Sequence, residues 1–192
     1  MRKRIYNLKN NEWMIFLLIA LVFGAFQSGA MATEKKKKPR LSSYELLSGD
    51  SMEEDVNQWD ATYAQATGLL YPEEPAQVVV DSMKVIPKNS LVLDIAAAEG
   101  RHSVFMAKHG HRVESVDISE KALQRARKIA NKNKVKIRTI VADVFTFKIQ
   151  ENHYDVIAVV NFFNRALIPI IKKGLKKGGY VVMEADTFAN IK

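Results

Sequence analysis

The chain has 192 residues, of which 47% are hydrophobic and 26% charged, enough for one folded domain and a short appendage. It contains no cysteine, which excludes disulfides, thiolate metal sites and a cysteine nucleophile. The net charge of +8 comes largely from two basic clusters within the first 40 residues. We therefore expect no nucleic-acid surface on the folded part.

The first 32 residues have the organisation of a signal peptide or a membrane anchor. A basic stretch precedes an apolar run at positions 13–26, and Ala30 and Ala32 have the small-x-small spacing of a signal-peptidase site. The run is shorter than the ~20 residues that span a bilayer comfortably. Three interpretations stay open: an exported protein with a cleaved signal, an uncleaved anchor, or a cytoplasmic protein that starts at Met31. Membrane contact is expected only through this segment.

Residues 33–51 are lysine-rich and polar, as in a solvated linker, and apolar patterns begin at residue 52. The predicted helices cover residues 52–66, 75–86, 101–109, 120–131 and 165–177. The predicted strands cover residues 91–95, 112–117, 136–142, 154–160 and 180–185. This alternation predicts one α/β domain over residues 52–192, with a doubly wound, mostly parallel, Rossmann-like sheet.

Polar side chains lie at or next to the carboxyl ends of the first four predicted strands. They are Asp94, Asp117, Asp143 and Asn161, in chain order. Because parallel strands of such folds bind ligands at their carboxyl ends, we expect these side chains to surround one site. The alternative is that the three aspartates only cap turns, where this residue is common.

The spacing of these residues suits an adenosine-type ligand. Asp117 can accept hydrogen bonds from both ribose hydroxyls, and the next residue, Ile118, is also predicted to contact the ligand. Asp94 would position the cationic end of the ligand. Asp143 can accept from an adenine amino group, and the Val144 N–H can donate to a ring nitrogen. A nicotinamide-binding G-x-G-x-x-G turn would need a small residue at position 101, which is arginine.

The small residues of the turn are Ala96, Ala98 and Gly100, and an acidic residue precedes them by two positions. The stretch VLDIAAAEGRHSVFMAKHGHRVESVDIS resembles the first motif and second strand of class I methyltransferases that use S-adenosylmethionine (SAM). The nearest similarity is to the small-molecule, tellurite-resistance-type branch, with its pattern LDLACGEGRNAVFLA. Trp59-Asp60-x-x-Tyr63 matches the W-D-x-x-Y entry helix of that branch. The resemblance implies SAM as the cofactor and a small molecule as the methyl acceptor.

Two departures from the family pattern support an alternative function. Ala97 and Ala98 replace Cys-Gly, and a positive φ at Ala98 would cost about 1 kcal/mol. The family sheet normally continues beyond the fifth strand, whereas only seven residues of this sequence follow the fifth predicted strand. We therefore expect that strand to be an unpaired sheet edge, which a partner or a dimer would cover. The alternative is a truncated, non-catalytic methyltransferase-like protein that binds SAM weakly or not at all.

The acceptor side carries less signal. Tyr63, His102 and Arg165 are predicted to face the substrate pocket, and the alternative for His102 is an exposed first-turn histidine. No dedicated base is predicted, because methyl transfer from a sulfonium needs mainly in-line positioning of the acceptor. His109 and His111 have no third ligand near them in the sequence, so no metal is expected.

Overall fold

Strands and helices alternate along the chain in a computed structural model, which describes residues 4–7 and 49–185, with side chains for residues 52–185. The strands are β1 (Arg4–Asn7), β2 (Leu91–Ile95), β3 (Arg112–Asp117), β4 (Arg138–Val141), β5 (Tyr154–Val160) and β6 (Leu175–Glu184). The helices are α1 (Gly49–Gln65), α2 (Gln77–Ser82), α3 (Arg101–Lys108), α4 (Glu120–Lys132) and α5 (Leu167–Gly174).

The strands form one sheet in the order β1-β6-β5-β2-β3-β4. Strands β2 to β6 all pair parallel with one another, which confirms the predicted Rossmann-like, mostly parallel sheet. The chain runs from β2 outward through β3 to β4, then returns to β5 on the other side of β2. The carboxyl ends of β2 and β5 therefore flank the point where the strand order reverses, and this is where open α/β sheets bind ligands.

Apolar clusters cover both faces of the sheet, and each strand contributes to both because its side chains alternate between the faces. In β2, Val92 packs in one cluster, whereas Leu93 and Ile95 pack in the other. The first cluster includes Val79 of α2 and Met106 of α3. The second cluster contains side chains from α5 and from the segment before β5, namely Val144, Ile149, Leu167 and Ile171.

The edge predicted to be exposed is covered by the chain itself, so that expectation is wrong. Strand β1 pairs antiparallel with β6, with Arg4 opposite Met183 and Asn7 opposite Tyr180. The apolar run at 13–26, the cleavage site at Ala30–Ala32 and the linker up to residue 48 lie outside the described residues. Within the described ranges, no helix has the length and apolar character needed to cross a membrane.

The boundaries of three strands match the prediction, whereas those around α5 do not. Helix α5 ends at Gly174, and β6 begins at Leu175, where a helix was predicted to continue to residue 177. Leu175 already has extended backbone angles, with φ −74° and ψ 138°. The start of β6 is irregular, because its register with β5 shifts between Tyr154 and Val156. This irregularity places Gly178, with φ +81°, within the strand.

Candidate active site

A cavity of about 250 Å³ opens at the carboxyl ends of β2, β3 and β5. Its floor is the turn after β2, and its sides come from the segments that follow β3, β4 and β5. Helix α1, residues 69–75 and helix α3 close it from the other side. The predicted site residues that line it are Tyr63, Ala96, Ala98, His102, Asp117, Ile118, Asp143, Val144 and Asn161.

Three predicted site residues are absent from the cavity wall. Asp94 is only 1% exposed and accepts a 2.6 Å hydrogen bond from the Ser103 hydroxyl, so it links the end of β2 to α3. Gly100 is buried against Ala126 of α4 and serves helix packing rather than a direct ligand contact. Arg165 is exposed at the start of the turn before α5. The structure therefore places these three residues outside the cavity wall, although the sequence predicted that they contact ligands.

The turn after β2 has an unusual backbone for its residue types. Ala96 has φ 56°, Ala98 has φ 52° and Gly100 has φ 77°. Hydrogen bonds hold this shape: the Ala97 N–H donates to the Val116 carbonyl at 3.0 Å, and the Gly100 N–H donates to the Ala97 carbonyl at 2.9 Å. The two alanines therefore occupy the left-handed region, which only glycine adopts without steric cost.

Replacing Ala98 by glycine is expected to stabilise the fold. Ala98→Gly removes a left-handed penalty of roughly 1–2 kcal/mol and adds roughly 0.5–1 kcal/mol of chain entropy cost, so the net gain is up to about 1.5 kcal/mol. Urea unfolding measures it as a higher midpoint at an unchanged slope.

Ala97→Gly is the matched control, because Ala97 lies in the same turn without a positive φ. It should only destabilise the protein, since it loses buried apolar contact and gains chain entropy in the unfolded state. A lower midpoint for Ala98→Gly than for the unmodified chain would contradict the assigned turn geometry.

Asp117 ties the turn to the end of β3. Its Oδ2 accepts from the Ala98 N–H at 2.8 Å, and its Oδ1 accepts from the Ser119 N–H at 2.9 Å. Burial raises the pKa of Asp117, and these backbone donors act in the opposite direction. Each carboxylate oxygen keeps a second lone pair, so Asp117 can accept two further hydrogen bonds from the cavity.

Two phenols and an imidazole in the cavity wall stay uncharged at neutral pH. Burial raises the pKa values of Tyr63 and Tyr71, whose hydroxyls are hydrogen-bonded to each other. Burial lowers the pKa of His102 to about 3, and the residue is 6% exposed. The alternative of an exposed His102 is therefore wrong. None of these groups is ionised near neutral pH, and none is an effective base.

Asp94 should make the stability depend on pH. Burial raises the pKa of this carboxyl from 3.8 to about 7, so the folded chain keeps a proton that the unfolded chain releases. Stability contributed by this proton is present below pH 4 and is lost as the pH rises to about 7. Relative to Asp94→Asn, the wild type should lose on the order of 4 kcal/mol across this window. Denaturant unfolding at a series of pH values measures the difference.

His102 provides the opposite slope and serves as the comparison. Its lowered pKa means that the unfolded chain binds a proton between pH 6.5 and about 3 that the folded chain does not. Relative to His102→Gln, the wild type should therefore gain stability as the pH rises through that window. Equal pH profiles for wild type and Asp94→Asn would contradict the assigned burial of Asp94.

Two residues that shape the site were missed at the level of the sequence. Glu99 is 4% exposed and lies within the turn, where its side chain was not singled out. Arg125 of α4 donates to main-chain carbonyls, and such partners leave no signal in a residue pattern.

Asp60 of the W-D-x-x-Y stretch accepts from the Ser119 hydroxyl at 2.5 Å and from the Lys121 N–H at 3.1 Å. It therefore anchors α1 to the N-terminus of α4.

Comparisons with known proteins agree with this fold and site. Residues 92–179 match the sequence profile of a family described as "Methyltransferase domain". This match covers less than half of the chain, and it supports a placement of the chain near the class I SAM-dependent methyltransferases of the tellurite-resistance-like branch, in agreement with the resemblance in the sequence.

A curated relative supports this placement. The chain is 32% identical over 113 residues to "Probable S-adenosyl-L-methionine-dependent methyltransferase TehB" of Haemophilus influenzae. That alignment covers 56% of this chain and 39% of the relative, so the chain spans well under half of the length of the relative.

Solved structures show the same architecture. The crystal structure of TehB from Haemophilus influenzae is 27% identical, with a TM-score of 0.51 over 65% of this chain and 44% of that one. The PH0226 protein from Pyrococcus horikoshii is 23% identical, with a TM-score of 0.55 over 60% of this chain and 54% of that one. A SAM-dependent methyltransferase from Thiobacillus denitrificans, in complex with S-adenosylhomocysteine, is 17% identical with a TM-score of 0.53. It covers 64% of this chain and 53% of that one. The last two likenesses concern the fold alone.

SAM is the cofactor that these similarities support, and the residues present fit it. Asp117 and Asp143 line the same cavity at neighbouring strand ends, with the small-residue turn between β2 and α3. Val144 and Phe145 add an apolar side next to Asp143. A cavity with carboxylate acceptors beside an apolar slot has the donor–acceptor pattern that a ribose and an adenine ring need.

Proposed function

We propose that this chain transfers a methyl group from SAM to a small-molecule acceptor. The observation that carries the proposal is the Asp117 carboxylate, which lines the cavity and is held by the turn through the Ala98 N–H. In Rossmann-like folds, a carboxylate at the end of the second parallel strand, here Asp117 at the end of β3, accepts hydrogen bonds from the ribose hydroxyls.

The roles of the other residues follow from their places around the cavity. Asp143 and Val144 would hold the adenine ring. The Asp143 Oδ1 accepts from the Phe145 N–H at 2.9 Å, and this hydrogen bond fixes the turn in which both residues lie. Ile118 and Phe162 would enclose the nucleoside. Asn161, with φ 60°, would present its backbone and amide near the reacting centre at the end of β5.

When bound, SAM supplies a methyl group on a sulfonium, and an acceptor lone pair displaces it in line. This chain contributes position rather than a proton acceptor, because Tyr63 and Tyr71 keep their protons and the Nε2 of His102 is buried. The acceptor therefore has to bring its own nucleophilic lone pair. Phe105 and Trp59 in the wall leave room for a small molecule and exclude water from the transfer.

A second candidate function is a non-catalytic methyltransferase-like protein with weak or absent SAM binding. The Ala98 side chain supports it, because its methyl group stands in the cavity wall at φ 52°, where the family pattern has glycine. The two functions differ in one measurable property, which is affinity for the nucleoside.

Calorimetry of the purified full chain with SAM and with S-adenosylhomocysteine tests the proposal. The methyltransferase predicts binding of both at micromolar concentration, followed by methyl transfer when candidate acceptors with soft lone pairs are supplied. Binding without transfer to any acceptor would favour the non-catalytic protein, and no binding of either nucleoside would overturn the proposed cofactor site.

We also propose that the folded form keeps its N-terminus in the same compartment as the sheet. A signal removed after Ala32 would take β1 with it, and a single membrane crossing between β1 and α1 would place the paired strands β1 and β6 on opposite sides. Reporter fusions after residue 40 and the intact mass of the purified chain test this. An active extracytoplasmic reporter, or a mass that lacks the first 32 residues, would reject it in favour of export.

A further inference from the structure

One wall of the cavity precedes the sheet in the chain. It consists of α1 and residues 66–76, and we call it the N-terminal wall. Its residues Trp59, Tyr63, Leu69, Tyr71 and Pro72 line the cavity. This wall has to be held against the sheet for the cavity to be closed.

Arg125 of α4 attaches the N-terminal wall through its main chain. Its guanidinium donates to the carbonyls of Tyr63 at 2.9 Å and Ala66 at 3.0 Å, and also to the carbonyl of Gly68. The last carbonyls of a helix lack partners within the helix and carry partial negative charge. A planar cation with several donors is the side chain that can satisfy carbonyls at the end of α1 and in the following loop together.

Glu99 connects the same attachment to the turn after β2. Its Oε1 lies 2.8 Å from the Arg125 Nε in an ion pair, and its Oε2 accepts from the Leu70 N–H at 2.8 Å. The Glu99 side chain is 5% exposed and that of Arg125 is 22% exposed, so water screens this pair little. One carboxylate thus joins the cofactor turn, α4 and the N-terminal wall.

We propose that Arg125 and Glu99 form a clasp that positions the N-terminal wall over the cavity, and that Arg125 is a positioning residue for SAM binding. The inference rests on the proposed function for its ligand and extends it to a residue that does not line the cavity. A shift of the turn after β2 moves Glu99, and therefore changes how Arg125 and Leu70 hold the wall. Ligand occupancy of the turn and closure of the wall are coupled through this pair.

The test compares Arg125→Ala, Arg125→Lys and Arg127→Ala in the full chain. Arg127 is the matched control, because it lies on the same helix and bonds Glu120 and Thr139 but not the wall. Arg125→Ala removes several charge-assisted hydrogen bonds, of which one alone is worth about tenfold, so it should speed hydrogen exchange of residues 63–71 by at least about tenfold and weaken SAM binding similarly. Arg125→Lys should restore part of both, and Arg127→Ala should change neither.

Exchange and binding together decide the outcome. Unchanged exchange of residues 63–71 in Arg125→Ala would overturn the clasp. Equal acceleration in residues 63–71 and in β2 and β5 would also overturn it, because the role of Arg125 would then be global stability. If Arg125→Ala does not fold, Arg125→Lys carries the same comparison. Absence of SAM binding in the wild type would reject the proposed function, while exchange would still decide the clasp.

Discussion

Asp117→Asn is expected to weaken SAM binding about 100-fold, because two hydrogen bonds from ribose hydroxyls to a carboxylate are worth roughly 3 kcal/mol together. The asparagine keeps one oxygen for the Ala98 N–H or the Ser119 N–H, but its amide nitrogen cannot accept from the other, so one of these two hydrogen bonds is lost as well. Calorimetry at matched protein concentration measures the loss, and circular dichroism confirms the fold.

Asp155→Asn is the matched control for this prediction. Asp155 also accepts from a backbone N–H, that of Leu91 at 2.8 Å, and pairs with the Lys176 ammonium at 2.7 Å. It lies at the opposite end of the sheet, near the start of β5, so its substitution should leave SAM affinity unchanged. Wild-type affinity in Asp117→Asn, or an equal loss in Asp155→Asn, would show that the ribose contact has been assigned to the wrong group.

The parts of the fold that could be predicted are those in which apolar runs have sharp polar boundaries. The bounds of β2, β3 and β5 agree with the prediction residue for residue, because Asp117 ends β3, Asn161 follows β5, and a run of small residues follows β2. The start of β6 could not be predicted, because Gly178 and its neighbours suggest a turn and only pairing with β5 makes the segment extended. Tertiary pairing overrides local turn preference there.

Strand β1 was missed for a different reason. The segment has four residues, the first and last of which are polar, so it is too short to show the alternating pattern that identifies a strand. The basic residues around it also fit the start of a signal peptide. Its place in the sheet follows from the free edge of β6, which offers unpaired backbone donors and acceptors to any extended segment nearby.

For the candidate site, the sequence indicates where the strands end but not which way each side chain faces. Asp94 and Asp117 lie at the ends of neighbouring strands, yet only Asp117 lines the cavity. Asp94 lies one residue before the end of β2 and is bonded by Ser103 of α3, whereas Asp117 is the last residue of β3. Residue type and spacing do not reveal which of two such carboxylates a helix covers.

Gly100→Ala is expected to be the most damaging single change in the turn. A Cβ at position 100 would stand 2.8 Å from the Ala126 Cβ and 3.4 Å from the Ala126 Cα, and φ is +77°. The left-handed penalty of roughly 1–2 kcal/mol adds to an overpacking cost of roughly 1–3 kcal/mol, about 3 kcal/mol in all. Denaturant unfolding measures the total.

Gly178→Ala separates the two causes, because φ there is +81° but nothing lies within 4 Å of the added Cβ. It should cost only the backbone penalty, about 1 kcal/mol. The excess in Gly100→Ala then measures how tightly the turn packs on α4, and Gly100→Ala/Ala126→Gly should recover part of it by removing the opposing Cβ. Equal losses in the two alanine variants would mean that α4 moves away freely. In that case the close contact of the turn with α4 would not be what fixes the turn beneath the cavity.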